Sequence, residues 1–253
     1  MRGLEAHSIV AGYTRDTPVL HDVDFAVHPG ERVAVIGRSG SGKSTLLKVL
    51  LLQVAQQSGT VALNGVTVPT GSVRHMRPYR RLVQYIPQDP ASSLDPHLPV
   101  RRLIGDPLRQ LKVPGNHRKL VESALESVHL GPEFLSRRRH EISGGQAQRV
   151  AIARALATGS RFLLADEPVS GLDLPLRDEV LNTLSGLEGV AIVFVTHDLD
   201  AAAALCDRGV VLHRGRVVEE GPMRGLLNSP SHTETAALVQ ALPAYLSKTQ
   251  RKL

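Results

Sequence analysis

The chain has 253 residues, 42% hydrophobic and 21% charged, with a net charge of +6. That is enough for one large α/β domain with an inserted subdomain, and no apolar run approaches the roughly 20 residues needed to cross a bilayer. Aromatics at 3%, no tryptophan and no reading helix or zinc finger argue against nucleic acid, so Arg137-Arg138-Arg139 and Lys248 to Lys252 read as solvated basic faces with a secondary attraction to anionic lipid.

In chain order, Met1-Arg2-Gly3-Leu4-Glu5 shows no secretory h-region. Residues before about Val35, together with Gly59 to Val68, are β-rich and predict a small antiparallel sheet, with Asn64-Gly65 as its tight turn. Arg32-Val33-Ala34-Val35-Ile36 reads as a buried strand, and Leu46, Leu47, Val49, Leu50 and Leu51 as a helix. Between them Gly37-Arg38-Ser39-Gly40-Ser41-Gly42-Lys43-Ser44, followed by Thr45, fits the phosphate-cradling pattern G-x-x-x-x-G-K-[ST]. Its glycines let backbone N–H groups surround phosphate oxygens at the positive end of a helix. Lys43 would reach the β- and γ-phosphates, and Ser44 would offer its hydroxyl to Mg²⁺.

From about Asp89 to Thr158 the pattern turns helical, with apolar spacing over Val100 to Leu111 and Asn116 to Leu130, broken by Pro114-Gly115 and Gly131-Pro132. Ser143-Gly144-Gly145-Gln146 then opens a helical run from Val150 to Ala157. Ser143 is a good N-cap, and the helix start makes a second anion site. The apolar run Arg161 to Ala165 delivers Asp166 and Glu167 to a strand end, where ligands of parallel α/β sheets bind. Asp166 suits Mg²⁺, and Glu167 suits a general base that polarises water. After Ser170-Gly171-Leu172-Asp173, the strand Val190 to Val195 ends in Thr196-His197-Asp198, whose imidazole could contact a γ-phosphate. Cys206, the one cysteine, sits in an apolar helix-to-strand context and reads as a small packed hydrophobe. The 11 histidines show no ligand spacing, so no transition-metal site is indicated. Val210 to Glu219 closes the pattern as a hairpin.

These motifs, in this order from about Tyr13 to Gly221, resemble the ATP-binding-cassette ATPases. The resemblance implies an α/β P-loop NTPase (RecA-like) core with an N-terminal antiparallel β subdomain and an inserted α-helical subdomain. The core would take residues 1–88 and 159–225, the helical subdomain 89–158 and a C-terminal helical tail 226–253. It implies that Tyr13 stacks on adenine, that Gln88 in Tyr85-Ile86-Pro87-Gln88 touches Mg²⁺ and relays to a membrane partner, and that Asp173 lies at a subunit boundary. Ile142, Gly171 and Ala165 depart mildly from the family pattern and remove no chemical group, so an active hydrolase is expected.

The implied mechanism pairs two cassettes. Lys43, Ser44, Gln88, Asp166, Glu167 and His197 would serve the chain's own ATP and Mg²⁺, while Ser143, Gly144, Gly145 and Gln146 would close over the ATP of a partner. That partner would be a paralogue or a copy. Two transmembrane permease subunits and, indirectly, an extracytoplasmic substrate-binding protein would complete a machine on the cytoplasmic face of the membrane. Gln88 to Pro96 and Ser229 to Pro243 resemble the peptide and nickel importer ATPases, although Thr233-Glu234-Thr235 stands where that group usually has Pro-Tyr-Thr. A cytosolic cassette ATPase of a non-transport complex, of the phosphonate-degradation type, is the alternative.

Overall fold

Burial alternates along the first strands. In the computed structural model, which describes residues 3–14, 16–69 and 71–241, β1 (Leu4–Ala11) buries Leu4, Ala6, Ile9 and Ala11. The period-two rhythm slips by one residue at Ser8, whose φ of 46° marks a bulge that the Asp24 carboxylate holds by accepting its N–H. β2 (Leu20–Val27) follows, and then β3 (Arg32–Ile36) changes character. All of Val33 to Ile36 is buried, the mark of a strand covered on both faces.

Helix α1 (Lys43–Leu50) buries Leu46, Leu47, Val49 and Leu50. β4 (Gln56–Leu63) and β5 (Val66–Thr67) are joined by Asn64-Gly65, both left-handed, as a two-residue hairpin turn requires. The chain continues through α2 (Val73–Leu82), β6 (Val83–Ile86), α3 (Val100–Gln110), α4 (His117–Glu126), α5 (Gly144–Leu156), β7 (Phe162–Asp166) and α6 (Leu174–Ser185). It ends with β8 (Ala191–Thr196), α7 (Leu199–Leu205), β9 (Arg208–His213), β10 (Arg216–Pro222), α8 (Met223–Asn228) and α9 (Thr233–Gln240).

Two compact units result, Met1–Thr67 with Val193–Leu253, and Val68–Ile192. In the first, the order β2-β1-β4-β5 forms the expected antiparallel sheet. Two details differ from the sequence reading. β4 starts at Gln56 rather than Gly59, and β3 does not join this sheet but pairs in parallel with β9, from Val33 opposite Arg208 to Ile36 opposite Val211. The β9–β10 hairpin is present as expected. Arg208 knits this region by pairing with Glu31 and Glu220 and donating to the Ala26 carbonyl.

In the second unit, β6 and β7 pair in parallel, and α5 packs against α3 and α4. The buried face of α5 is mostly small, with Ala147, Ala151, Ala153 and Ala155 beside Val150 and Ile152, which lets neighbouring helices approach closely. α3 and α4 end earlier than the apolar spacing predicts. Lys112 and His129 turn left-handed just past their ends, with φ of 54° and 56°. Helix α2 precedes the point where helical pattern was expected; it is strongly basic and contains Pro78, so its few apolar residues give a weak helical signal. Of the tail, α9 is described, while residues 242–253, with the Lys248–Lys252 cluster, lie outside the described residues.

Candidate functional site

In the first unit, β3 ends at Ile36 and the loop Gly37–Gly42 leads into α1. Gly42 is the N-cap in left-handed conformation and can offer no capping side chain. The first helical bond runs from the Leu46 N–H to the Gly42 carbonyl, so the N–H groups of Lys43, Ser44 and Thr45 precede the intrahelical ladder. Lys43 is 6% exposed, and its ammonium donates to the carbonyls of Gly37 at 2.7 Å and Arg38 at 3.0 Å. A buried cation is thus held over the loop by main-chain oxygens, beside a buried Ser41 hydroxyl that has no hydrogen-bond partner. The chemistry suits an anion: ready donors, a helix N-terminus and a fixed positive charge. Ser44 is exposed at the same helix start and Thr45 is buried.

The loop is braced from behind. Gly215, in the β9–β10 turn, donates its N–H to the Ser41 carbonyl at 2.9 Å, and its own carbonyl accepts from the His21 N–H at 2.8 Å. Tyr13 is 61% exposed and lines a cleft of about 740 Å³ with Gly12, Thr14 and residues 53–57. Lys48 of α1 donates to the Tyr13 hydroxyl at 3.1 Å and lies 5.2 Å from the ring centre. His197 follows β8 directly and is exposed.

In the second unit, β7 carries Asp166 as its last residue, half-buried, and Glu167 follows with φ at 46°. A non-glycine residue in that conformation is uncommon. The turn is closed by the Ser170 N–H donating to the Glu167 carbonyl at 3.1 Å. Tyr85 of β6 reaches across to Asp166, hydroxyl to Oδ2 at 3.5 Å. Burial first, and the Asp166 charge second, push the Tyr85 phenol up to about 12, so it stays a proton donor to that carboxylate. Gln88 is exposed just beyond β6.

Ser143 is the N-cap of α5, as expected, within a reciprocal capping box. Its hydroxyl accepts from the Gln146 N–H at 3.2 Å, and the Gln146 side chain accepts from the Ser143 N–H at 2.9 Å. Gly144 is exposed with open space above it, whereas Gly145 is buried. A Cβ at Gly145 would stand 2.6 Å from Leu176 and 2.9 Å from Glu179, so α6 sits close against the start of α5. Asp173 caps α6 by accepting the Leu176 N–H at 3.1 Å. One contact has no signal in the sequence. Arg154 of α5 donates to the Ser93 carbonyl at 3.0 Å and hydroxyl at 2.7 Å, tying the loop after Gln88 to the helix that Ser143 opens.

The family described as ABC transporter matches residues 20–170 of the chain. The chain belongs to that family. It is an ATP-binding-cassette ATPase of the P-loop NTPase fold class, and ATP is its nucleotide. A Brucella ovis protein named for peptide import ATP binding is 38% identical over 249 residues, covering 96% of this chain and 78% of that protein. The glutathione import ATP-binding protein GsiA of Salmonella typhimurium is 40% identical over 235 residues, covering 91% of this chain and 38% of GsiA. Among solved structures, the ATP-binding cassette MJ0796, dimeric in a post-hydrolysis state with ADP and Pi, superposes with a TM-score of 0.75 at 28% identity. It covers 88% of this chain and 99% of that cassette. No helix among the described residues is long and apolar enough to cross a membrane.

Proposed function

We propose that this cassette is the ATP-hydrolysing subunit of an importer for peptides or peptide-like molecules, acting through separate permease subunits. The observation that carries the nucleotide role is the buried Lys43 ammonium held on the Gly37 and Arg38 carbonyls ahead of an uncapped α1. Importer identity is supported by relatives named for peptide and glutathione import, and glutathione is itself a short peptide. Those names favour import over a non-transport assembly. Nickel or a metal chelate, weighed from the sequence, has no comparable support.

In this reading the N–H groups from Gly37 to Thr45 bind the phosphates, Lys43 neutralises charge that develops during transfer, and Tyr13 stacks on the adenine. Ser44, Gln88 and Asp166 carry the hard oxygen donors that Mg²⁺ prefers, and the ion would draw electron density from the phosphate oxygens. Glu167 takes the proton of the attacking water, and His197 contacts the terminal phosphate. Ser143, Gly144, Gly145 and Gln146 serve the nucleotide of a second cassette, a copy or a paralogue, with Asp173 at the boundary. The dimeric state of the MJ0796 cassette supports this pairing. The assembly would lie on the cytoplasmic face of the membrane, with a substrate-binding protein outside.

Glu167→Gln is the direct test. ATP hydrolysis should fall by about 10²-fold or more while ATP binding persists, because only the base is removed. Undiminished turnover in that variant would remove Glu167 from the mechanism. For the importer reading, affinity purification in detergent should recover hydrophobic permease subunits; a wholly soluble complex would count against it.

A further inference from the structure

Helix α9 reaches back to the phosphate loop. The Glu234 carboxylate pairs with Arg38 through Nε at 2.8 Å, and His213 Nδ1 lies 3.5 Å from the same oxygen, Oε1. The Glu234 side chain is only 14% exposed against 62% for Arg38, so the anion is the sheltered member and depends on its basic neighbours. Oε1 accepts no hydrogen bond, which makes the hold one of charge rather than of direction.

Both ends of this contact are anchored. On the α9 side, Glu219 of β10 accepts the N–H groups of Ser231 at 2.8 Å and His232 at 3.0 Å, fixing the turn into the helix. His232 then caps α9 by accepting the Glu234 N–H at 3.1 Å. On the loop side, the Arg38 carbonyl accepts from the Lys43 ammonium at 3.0 Å and from the Ser41 N–H at 3.2 Å. Arg38 therefore meets Glu234 with its side chain and holds Lys43 with its main chain.

We propose that Glu234 is a positioning residue for nucleotide binding, which through Arg38 fixes the loop conformation that presents Lys43 to the triphosphate. The role rests on the reading that residues 37–44 cradle ATP. Glu234 need not touch the nucleotide. Its effect falls on affinity, because the contact favours the loop conformation that binds, is the same in the bound ground state and the transition state, and takes no part in the chemistry.

The test is a mutant cycle on the full chain, reading ATP affinity by equilibrium titration and kcat against KM in the hydrolysing complex. Glu234→Gln should weaken ATP binding about three- to tenfold and raise KM to match, with kcat at saturation near wild type. Glu234→Asp should recover most of the loss. Arg38→Gln, an exposed substitution that spares the fold, should reproduce it, and the double variant should be no worse than either single. Wild-type or tighter binding by Glu234→Gln, or losses that simply add in the double variant, would overturn the proposal. Lys43→Ala separates the two readings. If it leaves ATP affinity intact, the phosphate-loop assignment itself fails. If it abolishes binding while Glu234→Gln and Arg38→Gln change nothing, only the positioning role fails.

Discussion

Gly215 shows how a residue remote in sequence governs the phosphate loop. At φ 73° it donates to Ser41 and accepts from His21, and a Cβ there would stand 1.9 Å from the Val19 carbonyl oxygen. Gly215→Ala meets both the left-handed penalty and a backbone collision, so it should cost about 1–3 kcal/mol in thermal unfolding and weaken ATP binding with it. Normal stability and normal affinity would mean that the turn does not brace the loop. Cys206 offers a second check at this scale. Burial, then the neighbouring Asp207 charge, push its thiol up to about 12, against a small opposing pull from Arg32. The native chain should therefore react with a thiol-specific disulfide reagent at pH 8 far more slowly than the unfolded chain. Equal rates would contradict that burial. The packing of Cys206 as a small hydrophobe was legible from its apolar neighbours; the Gly215 brace was not, because it depends on which turn comes to lie behind the loop.

Among the elements, the Arg208 network joins the segments before β3 to the β9–β10 hairpin. Burial alone would raise the Glu31 pKa, but the Arg208 guanidinium and the His28 N–H outweigh it and hold the carboxyl below its usual range. A carboxylate with a lowered folded pKa adds stability that is present above its unfolded value and is lost as pH falls through the folded one. Glu31→Gln should accordingly cost about 1 kcal/mol near pH 7, a modest figure because the pair is partly exposed. The gap from wild type should narrow as pH falls below the ordinary Glu range of about 4.3 and vanish once the folded-state carboxyl is protonated, in chemical unfolding. A gap that persists in acid would assign the effect to packing. Local pattern announced most elements, including β3, β8, the helix of the phosphate loop and the Ser143 cap, since each depends on neighbours in sequence. α2 escaped because it is rich in basic residues and carries Pro78, which disfavours a helical reading although the helix runs through it. The parallel pairing of β3 with β9 escaped because partners far apart in the chain leave no local trace.

At the scale of the whole molecule, the chain supplies two glycine-rich helix starts, α1 in one unit and α5 in the other, and phosphate binding at both is the proposed reading. The sequence displayed both, together with the Asp166-Glu167 strand end, because each motif is a short contiguous run whose chemistry survives without knowledge of the fold. What it could not display is how side chains from separate elements support those runs, as Arg154 does for the loop after Gln88 and Tyr85 for Asp166. In the proposed mechanism the α5 start acts on a second cassette, so that one cassette alone binds ATP without turning it over. ATP hydrolysis measured alongside sedimentation tests this most directly. A monomeric sample should bind ATP yet show negligible turnover until the second cassette, copy or paralogue, is added, and Ser143→Arg should abolish the gain. Full turnover by a strictly monomeric sample, unchanged by Ser143→Arg, would contradict it.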